Sequence, residues 1–233
     1  DSCRNMRLFT SGSAPLLTQT FAQMASQTGH DIVERYGMTE TGMNTSNPIG
    51  ATKPGTVGLA LAGVEVKIVD DSGAAVEYGQ PGNLLVRGPN VFKGYWRMPD
   101  KTAEDFTEDH YFRTGDIATL DEDTYVSIVG RSKDLIITGG LNVYPKEIES
   151  VIDKIGGVLE SAVIGLPDTD FGEAVTAVIV KRDKEIVEAD IQDALQGLAK
   201  FKRPKHIYFV DELPRNTMSK VQKNSLRSQF SAD

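Results

Sequence analysis

The sequence predicts a mixed α/β chain in two parts, a strand-rich first part and an α+β second part. Three observations carry this. Short strands separated by Gly- and Pro-bearing turns run from Lys53 to Gly130. Helical and strand patterns alternate after Pro145. Between them lies GRSKDLIITGGLNVYPKEIE, from Gly130 to Glu149: a charged segment, a β-branched run and two adjacent glycines. Flexible linkers are rich in Gly and Ser, or in Pro, and this stretch is neither. It is expected to be a hinge whose residues also serve a ligand. The boundary is placed so that 1–131 and 132–233 are separate domains, with residues 53–130 forming a small barrel-like or sandwich subdomain.

Taken in order, Met6–Thr10 reads as a strand, and Ser11-Gly12-Ser13-Ala14-Pro15 as a small-residue turn. Such a turn either joins strand to helix or lets the backbone approach a ligand. Pro15–Gly29 reads as a helix closed by a C-cap glycine. Ile32-Val33 is a short strand before Glu34-Arg35-Tyr36-Gly37-Met38-Thr39-Glu40-Thr41. That segment suits a polar turn. It equally offers an aromatic to stack a base, a glycine to admit a phosphate, and a carboxylate for a hard cation. Val64-Val66-Ile68 alternates with charged neighbours, and Asn83–Arg87 is a further strand. Lys101–Phe106 is a short helix, and Tyr111–Asp116 a strand ending in a carboxylate. Asp116 suits either a turn cap or a sugar diol.

In the second part, Pro145–Lys154 is a helix with Pro in its first turn. Strands follow at Glu160–Leu166 and Ala174–Val180, a helix at Glu188–Ala199, and a strand at Lys205–Val210. The exposed turn Leu213–Lys220 precedes a last helix, Val221–Phe230. Most lysines are surface lysines, and Lys220 read alone is one of them.

Composition narrows the function. Of 233 residues, 39% are hydrophobic and 25% charged, as in a globular protein. The net charge of −8 argues against a nucleic-acid or anionic-membrane surface. No apolar run reaches the roughly 20 residues of a membrane span. The single cysteine, Cys3, permits no intrachain disulfide and fits a reducing, cytoplasmic compartment. Three scattered histidines do not make a metal cluster. The chain opens on Asp1-Ser2-Cys3 and runs quickly into an apolar strand, so an upstream part is expected.

Several motifs occur in a fixed order. Tyr36-Gly-Met-Thr-Glu40 comes first, then Gly82-Asn-Leu-Leu-Val-Arg-Gly88, Gly94-Tyr-Trp96 and Thr114-Gly-Asp116. Gly130-Arg-Ser-Lys-Asp134 with Gly139-Gly140 follows, and Leu213-Pro-Arg-Asn-Thr-Met-Ser-Lys220 closes the series. Together they resemble the adenylate-forming superfamily of acyl-CoA synthetases, luciferases and peptide-synthetase adenylation domains, over essentially the whole chain. Glu34–Thr41, Met43–Pro48, Val91–Pro99 and Leu213–Lys223 are most similar to its malonate-activating acyl-CoA synthetases.

The resemblance implies the C-terminal half of that fold, namely the end of a large AMP-binding domain followed by a mobile α+β lid. It implies two half-reactions: a carboxylate and ATP give an acyl-adenylate, and CoA then displaces AMP. ATP, Mg²⁺ and CoA are the implied ligands, with malonate or methylmalonate as the acid. By the same resemblance Tyr36 stacks on adenine, Thr39 contacts the α-phosphate and Glu40 holds Mg²⁺. Asp116 takes the ribose hydroxyls with Arg131, and Lys133 is the hinge. Gly139 and Gly140 border the pantetheine channel, and Ser13, Gly37 and Met38 face the acyl pocket. Lys220 is the catalytic lysine and a candidate for a lysine acetyltransferase and deacetylase. Two departures stand out. Ser219 occupies a position where the family usually has Gly, and the Ser/Thr/Gly-rich phosphate loop is expected upstream of Asp1. The piece alone is expected to be inactive. Two alternatives stay open: another carboxylate or a carrier-protein thiol as substrate, and a non-catalytic lid fragment.

Overall fold

The structure, a computed structural model, describes residues 3, 5–12, 16–182, 185–217 and 219–231. It divides into two compact units, residues 1–129 and 130–233.

In the first unit, strand β1 (Phe9–Ser11) pairs in parallel with β2 (Ile32–Met38). Helix α1 (Thr18–Thr28) connects them and ends on Gly29 at φ 72°, the left-handed C-cap that glycine supplies without strain. Strand β2 continues antiparallel to β3 (Gly42–Ser46), and β3 to β4 (Leu59–Ala60). The expected strand at Ile32-Val33 is therefore longer, and Tyr36, Gly37 and Met38 belong to it. The cause is tertiary: β3 pairs with Arg35–Met38, so the polar end of β2 is drawn into the ladder.

A second sheet has the order β5 (Glu65–Val69), β6 (Gly82–Arg87), β7 (Phe112–Leu120) and β8 (Val126–Arg131). It is open: among the described residues no closed barrel forms, contrary to the barrel-like expectation. Ile68, Leu84, Val86, Ala118 and Val126 make its core, and Tyr36 packs against them. Helix α2 (Pro99–Asp105) carries Pro in its first turn. Strand β7 runs through Asp116 rather than ending there. The β6–β7 register slips between Asn83 and Leu85, which face Ile117 and Arg113. Gly115, at φ 70°, sits in this bulge.

The second unit is built on a five-stranded sheet. A 3₁₀ turn (Ser132–Asp134) leads to β9 (Ile136–Thr138), which forms a hairpin with β10 (Leu141–Val143). Gly139 and Gly140, at φ 58° and 78°, are the two loop residues. Positive φ at both centres is the type I′ requirement that glycine meets. Part of the stretch expected to be a hinge thus folds as a β-hairpin. Helix α3 (Pro145–Ile152) follows, then β11 (Val158–Asp168) and β12 (Gly172–Lys181) as a long antiparallel pair. Helix α4 (Glu188–Ala194) is shorter than expected because a 3₁₀ turn (Leu195–Gly197) completes it. Strand β13 (His206–Val210) lies parallel to β12, and α5 (Lys223–Phe230) ends the fold.

The sheet has two apolar faces. Val163, Val175, Ala177 and Ile179 pack with Ile148, Ile152 and Ile191 of α3 and α4. Ala162, Ile164, Val178 and Val180 pack with Leu213 and with Leu226 of α5. Burial on both sides explains why β12 reads as a nearly unbroken apolar run.

Candidate functional site

In the first unit the candidate residues gather at the C-terminal end of β2. The Tyr36 hydroxyl donates to Asp116 Oδ2 at 2.5 Å, joining β2 to the bulge of β7. Asp116 is 3% exposed. Its N–H donates to Thr114 Oγ1 (3.1 Å), whose hydroxyl donates to the Leu84 carbonyl (2.8 Å). The bulge at Gly115 thus re-aims a buried carboxylate toward Tyr36. Met38 ends the strand with its sulfur 3.9 Å from the Tyr36 hydroxyl, a weak contact.

Gly37 has a packing reason of its own. A Cβ there would lie 2.1 Å from the Gly42 carbonyl oxygen and 2.6 Å from the Met43 methyl. A side chain would push β3 away and move the turn that carries Thr39 and Glu40. Thr39 is exposed and Glu40 half-buried in that turn. The turn is held from residues 90–95. Phe92 N–H donates to the Glu40 carbonyl (2.8 Å), and the Tyr95 hydroxyl reaches Glu40 Oε1 (3.4 Å). Burial beside the Glu40 carboxylate pushes the Tyr95 phenol up to about 12, so it stays protonated as a donor. The Asn90 amide donates to the Thr41 carbonyl (2.7 Å) and to Asn44 Oδ1 (3.0 Å). Phe92 and Tyr95 fall within the Val91–Pro99 segment of the resemblance, whereas Asn90 carries no signal in the sequence. Ser13 lies outside the described residues.

In the second unit, Arg131 ends β8 exposed, and Lys133 is exposed in the 3₁₀ turn. Gly139 N–H donates to the Phe171 carbonyl (2.8 Å). A Cβ at Gly140 would meet nothing of the protein within 4 Å.

Lys220 is half-buried on a tight hairpin. Its N–H donates to Asn216 Oδ1 (2.9 Å), and Asn216 N–H donates to the Lys220 carbonyl (2.9 Å). A bridge pairs Arg215 with Val221. Arg215 donates to the Ser219 carbonyl (2.6 Å) and pairs with Glu160 of β11. Ser219 has φ 61°, so the usual glycine is replaced in a left-handed conformation that costs a non-glycine residue about 1–2 kcal/mol.

Among the described residues no set of three His, Cys, Asp or Glu is arranged to hold a metal alone. Glu40 offers one carboxylate, which fits a cation that takes its other ligands from phosphates and water. No helix is long and apolar enough to cross a membrane.

The Tyr36–Asp116 pair, the Thr39–Glu40 turn and the Lys220 hairpin lie in the motifs through which the sequence resembles the adenylate-forming enzymes. The chain belongs to that family: the AMP-binding enzyme profile matches residues 1–96, and the AMP-binding enzyme C-terminal domain profile matches residues 147–220. It is 42% identical to a malonate–CoA ligase of Arabidopsis thaliana over 98% of its length, and 40% identical to a long-chain-fatty-acid–CoA ligase of Yersinia pestis over 96%. The chain spans 40% of the length of each of these relatives. The ATP-bound structure of MatB from Rhodopseudomonas palustris superposes with a TM-score of 0.93 at 57% identity, covering 97% of this chain and 46% of that one.

Proposed function

We propose that this chain is the C-terminal portion of an ATP-dependent acid–thiol ligase. It would adenylate a short dicarboxylate, malonate first, and transfer the malonyl group to CoA. The observation that carries the reading is the buried Asp116 carboxylate presented with the Tyr36 ring, next to the Thr39–Glu40 turn. The relatives named for malonate support the choice of acid.

In the first half-reaction a malonate carboxylate oxygen attacks the α-phosphorus of ATP and pyrophosphate leaves. Both reactants are anions, so the transition state demands positive charge at the α-phosphate. Lys220 supplies an ammonium there, and Thr39 a hydroxyl. Tyr36 stacks on adenine, while Asp116, with Arg131, takes the ribose hydroxyls. Glu40 would hold Mg²⁺, which supplies charge neutralisation on the phosphates. Met38 and the backbone at Gly37 border the acyl group, with Ser13 as a further candidate. In the second half-reaction the CoA sulfur attacks the acyl carbonyl carbon and AMP leaves. Gly139 and Gly140 leave room for pantetheine. Lys133 is the pivot about which the residues beyond it reorient between the two steps, carrying Lys220 away once its work is done.

The test uses the complete protein that carries this chain. Lys220→Ala should abolish malonate-dependent ATP–pyrophosphate exchange and leave thioester formation from supplied malonyl-adenylate near normal. Near-normal exchange would remove Lys220 from catalysis. Comparing kcat/KM for malonate, methylmalonate, acetate and octanoate tests the substrate, and acetate or octanoate outrunning malonate would overturn that choice.

A further inference from the structure

A buried carboxylate of the second unit has no part in the chemistry above. Glu149 is 7% exposed on the inner side of α3. Its Oε1 accepts the Val163 N–H at 2.9 Å and the Lys223 ammonium at 2.6 Å. Val163 lies on β11, the terminal strand of the sheet order. Its N–H is an edge donor, and Glu149 satisfies it. Lys223 comes from the other side. Helix α3 packs on the face that holds Val163, and α5 on the face that holds Ala162 and Ile164. The Glu149–Lys223 pair therefore closes around the edge of β11 and ties together helices on opposite faces.

Lys223 is unusual where it stands. It is the first residue of α5, where the helix dipole disfavours a cation, and the first turn holds no acidic residue. Its charge is answered by Glu149 instead. Lys146 lies 3.9 Å from both Glu149 and Asp153, so two carboxylates and two ammonium groups share the site.

Lys220 lies three residues before Lys223. The hairpin that carries it is fixed at its start by Arg215 on Glu160, and Glu160 also belongs to β11. Both feet of the hairpin are thus ion-paired along one strand edge, Arg215 before Lys220 and Lys223 after it. We propose that Glu149, acting through Lys223, is a positioning residue for Lys220: the pair fixes the second foot of the hairpin and so sets where the ammonium can reach. This rests on the adenylation role of Lys220 proposed above.

The experiment compares Glu149→Gln, Lys223→Ala and Lys223→Arg with wild type and Lys220→Ala, all in the complete protein. Glu149→Gln and Lys223→Ala should lower kcat for adenylation by about 10–100-fold, the scale of a misplacement near 1 Å. KM for ATP and thioester formation from supplied adenylate should stay near wild type. Amide exchange should rise in residues 216–222 and stay unchanged in β12. Lys223→Arg, which keeps the cation, should recover most of the rate. Wild-type adenylation in folded Lys223→Ala, or equal loss of both half-reactions, would overturn the proposal. Should Glu149→Gln fail to fold, Lys223→Ala decides alone. If Lys220→Ala adenylates normally, the role of Lys220 has failed, and amide exchange still reports whether the pair holds the hairpin.

Discussion

The Tyr36 hydroxyl and the Asp116 carboxylate meet at 2.5 Å although 80 residues separate them. One partner lies on the sheet that begins the chain, the other on the bulge of a different sheet. The bond holds a ring and a carboxylate in fixed relation. Tyr36→Phe keeps the ring and removes the hydroxyl. It should destabilise the first unit by about 1.5–3 kcal/mol, the scale of a hydrogen bond to a charged group. It should also raise KM for ATP while leaving the substrate ranking unchanged. Urea unfolding and ATP-dependent kinetics check the two parts.

Glu34, 7% exposed at the buried end of β2, carries a pH prediction. Burial pushes its carboxyl above the ordinary 4.5, opposed in part by the Gly55 N–H that donates to it. A raised carboxyl favours the folded state when protonated. That contribution is complete below 4.5 and is lost as pH rises through the higher folded value. Glu34→Gln keeps the acceptor for Gly55 and cannot ionise. It should be more stable than wild type at pH 7, with the advantage vanishing toward pH 4. Thermal melts of both proteins at the two pH values test this, and an equal difference at both would contradict it.

The extent to which the sequence exposed these features follows from the range of the interactions. Helices α1 and α3 were legible because Gly29 and Pro145 are local punctuation, and the chain obeyed it. Strands β11 and β12 were legible from their apolar runs. What stayed hidden was set by partners distant in sequence. Strand β2 extends through Met38 because β3 returns beside it, and the Gly115 bulge exists only against β6. The Glu149–Lys223 pair spans 74 residues, and nothing near either residue announces it. The β9–β10 hairpin is a different case. Two adjacent glycines after a β-branched run are a hairpin signal, and the boundary reading of that stretch masked it.

Ser219 tests how much the left-handed turn before Lys220 costs. At φ 61° a serine is strained, and glycine is not. Ser219→Gly should therefore raise stability, but by no more than about 1 kcal/mol, because glycine also gains freedom in the unfolded chain. Ser219→Val should lower stability by about 1 kcal/mol or more, since a β-branched residue fits the left-handed region worst. Chemical denaturation of the three proteins orders them. Serine ranking above glycine would mean that its side chain repays the strain.

Gly140 separates two reasons for a glycine at one position. Its φ of 78° favours glycine for conformational reasons, whatever surrounds it. Yet a Cβ would meet no protein atom within 4 Å, so no packing inside the unit forbids a side chain. If only the hairpin matters, substitutions should lower stability in proportion to their strain and touch both half-reactions alike. If pantetheine passes there, a side chain should block the CoA step and spare adenylation. Leu and Asn divide these cases. Leu is bulky and costs about 1–2 kcal/mol in this region, whereas Asn tolerates it and is smaller. Gly140→Leu should reduce thioester formation from supplied adenylate severely, and Gly140→Asn moderately, with pyrophosphate exchange close to wild type in both. Gly140→Asn should melt near wild type while still slowing the CoA step. Losses that track melting temperature, equal in the two half-reactions, would assign Gly140 to the hairpin alone.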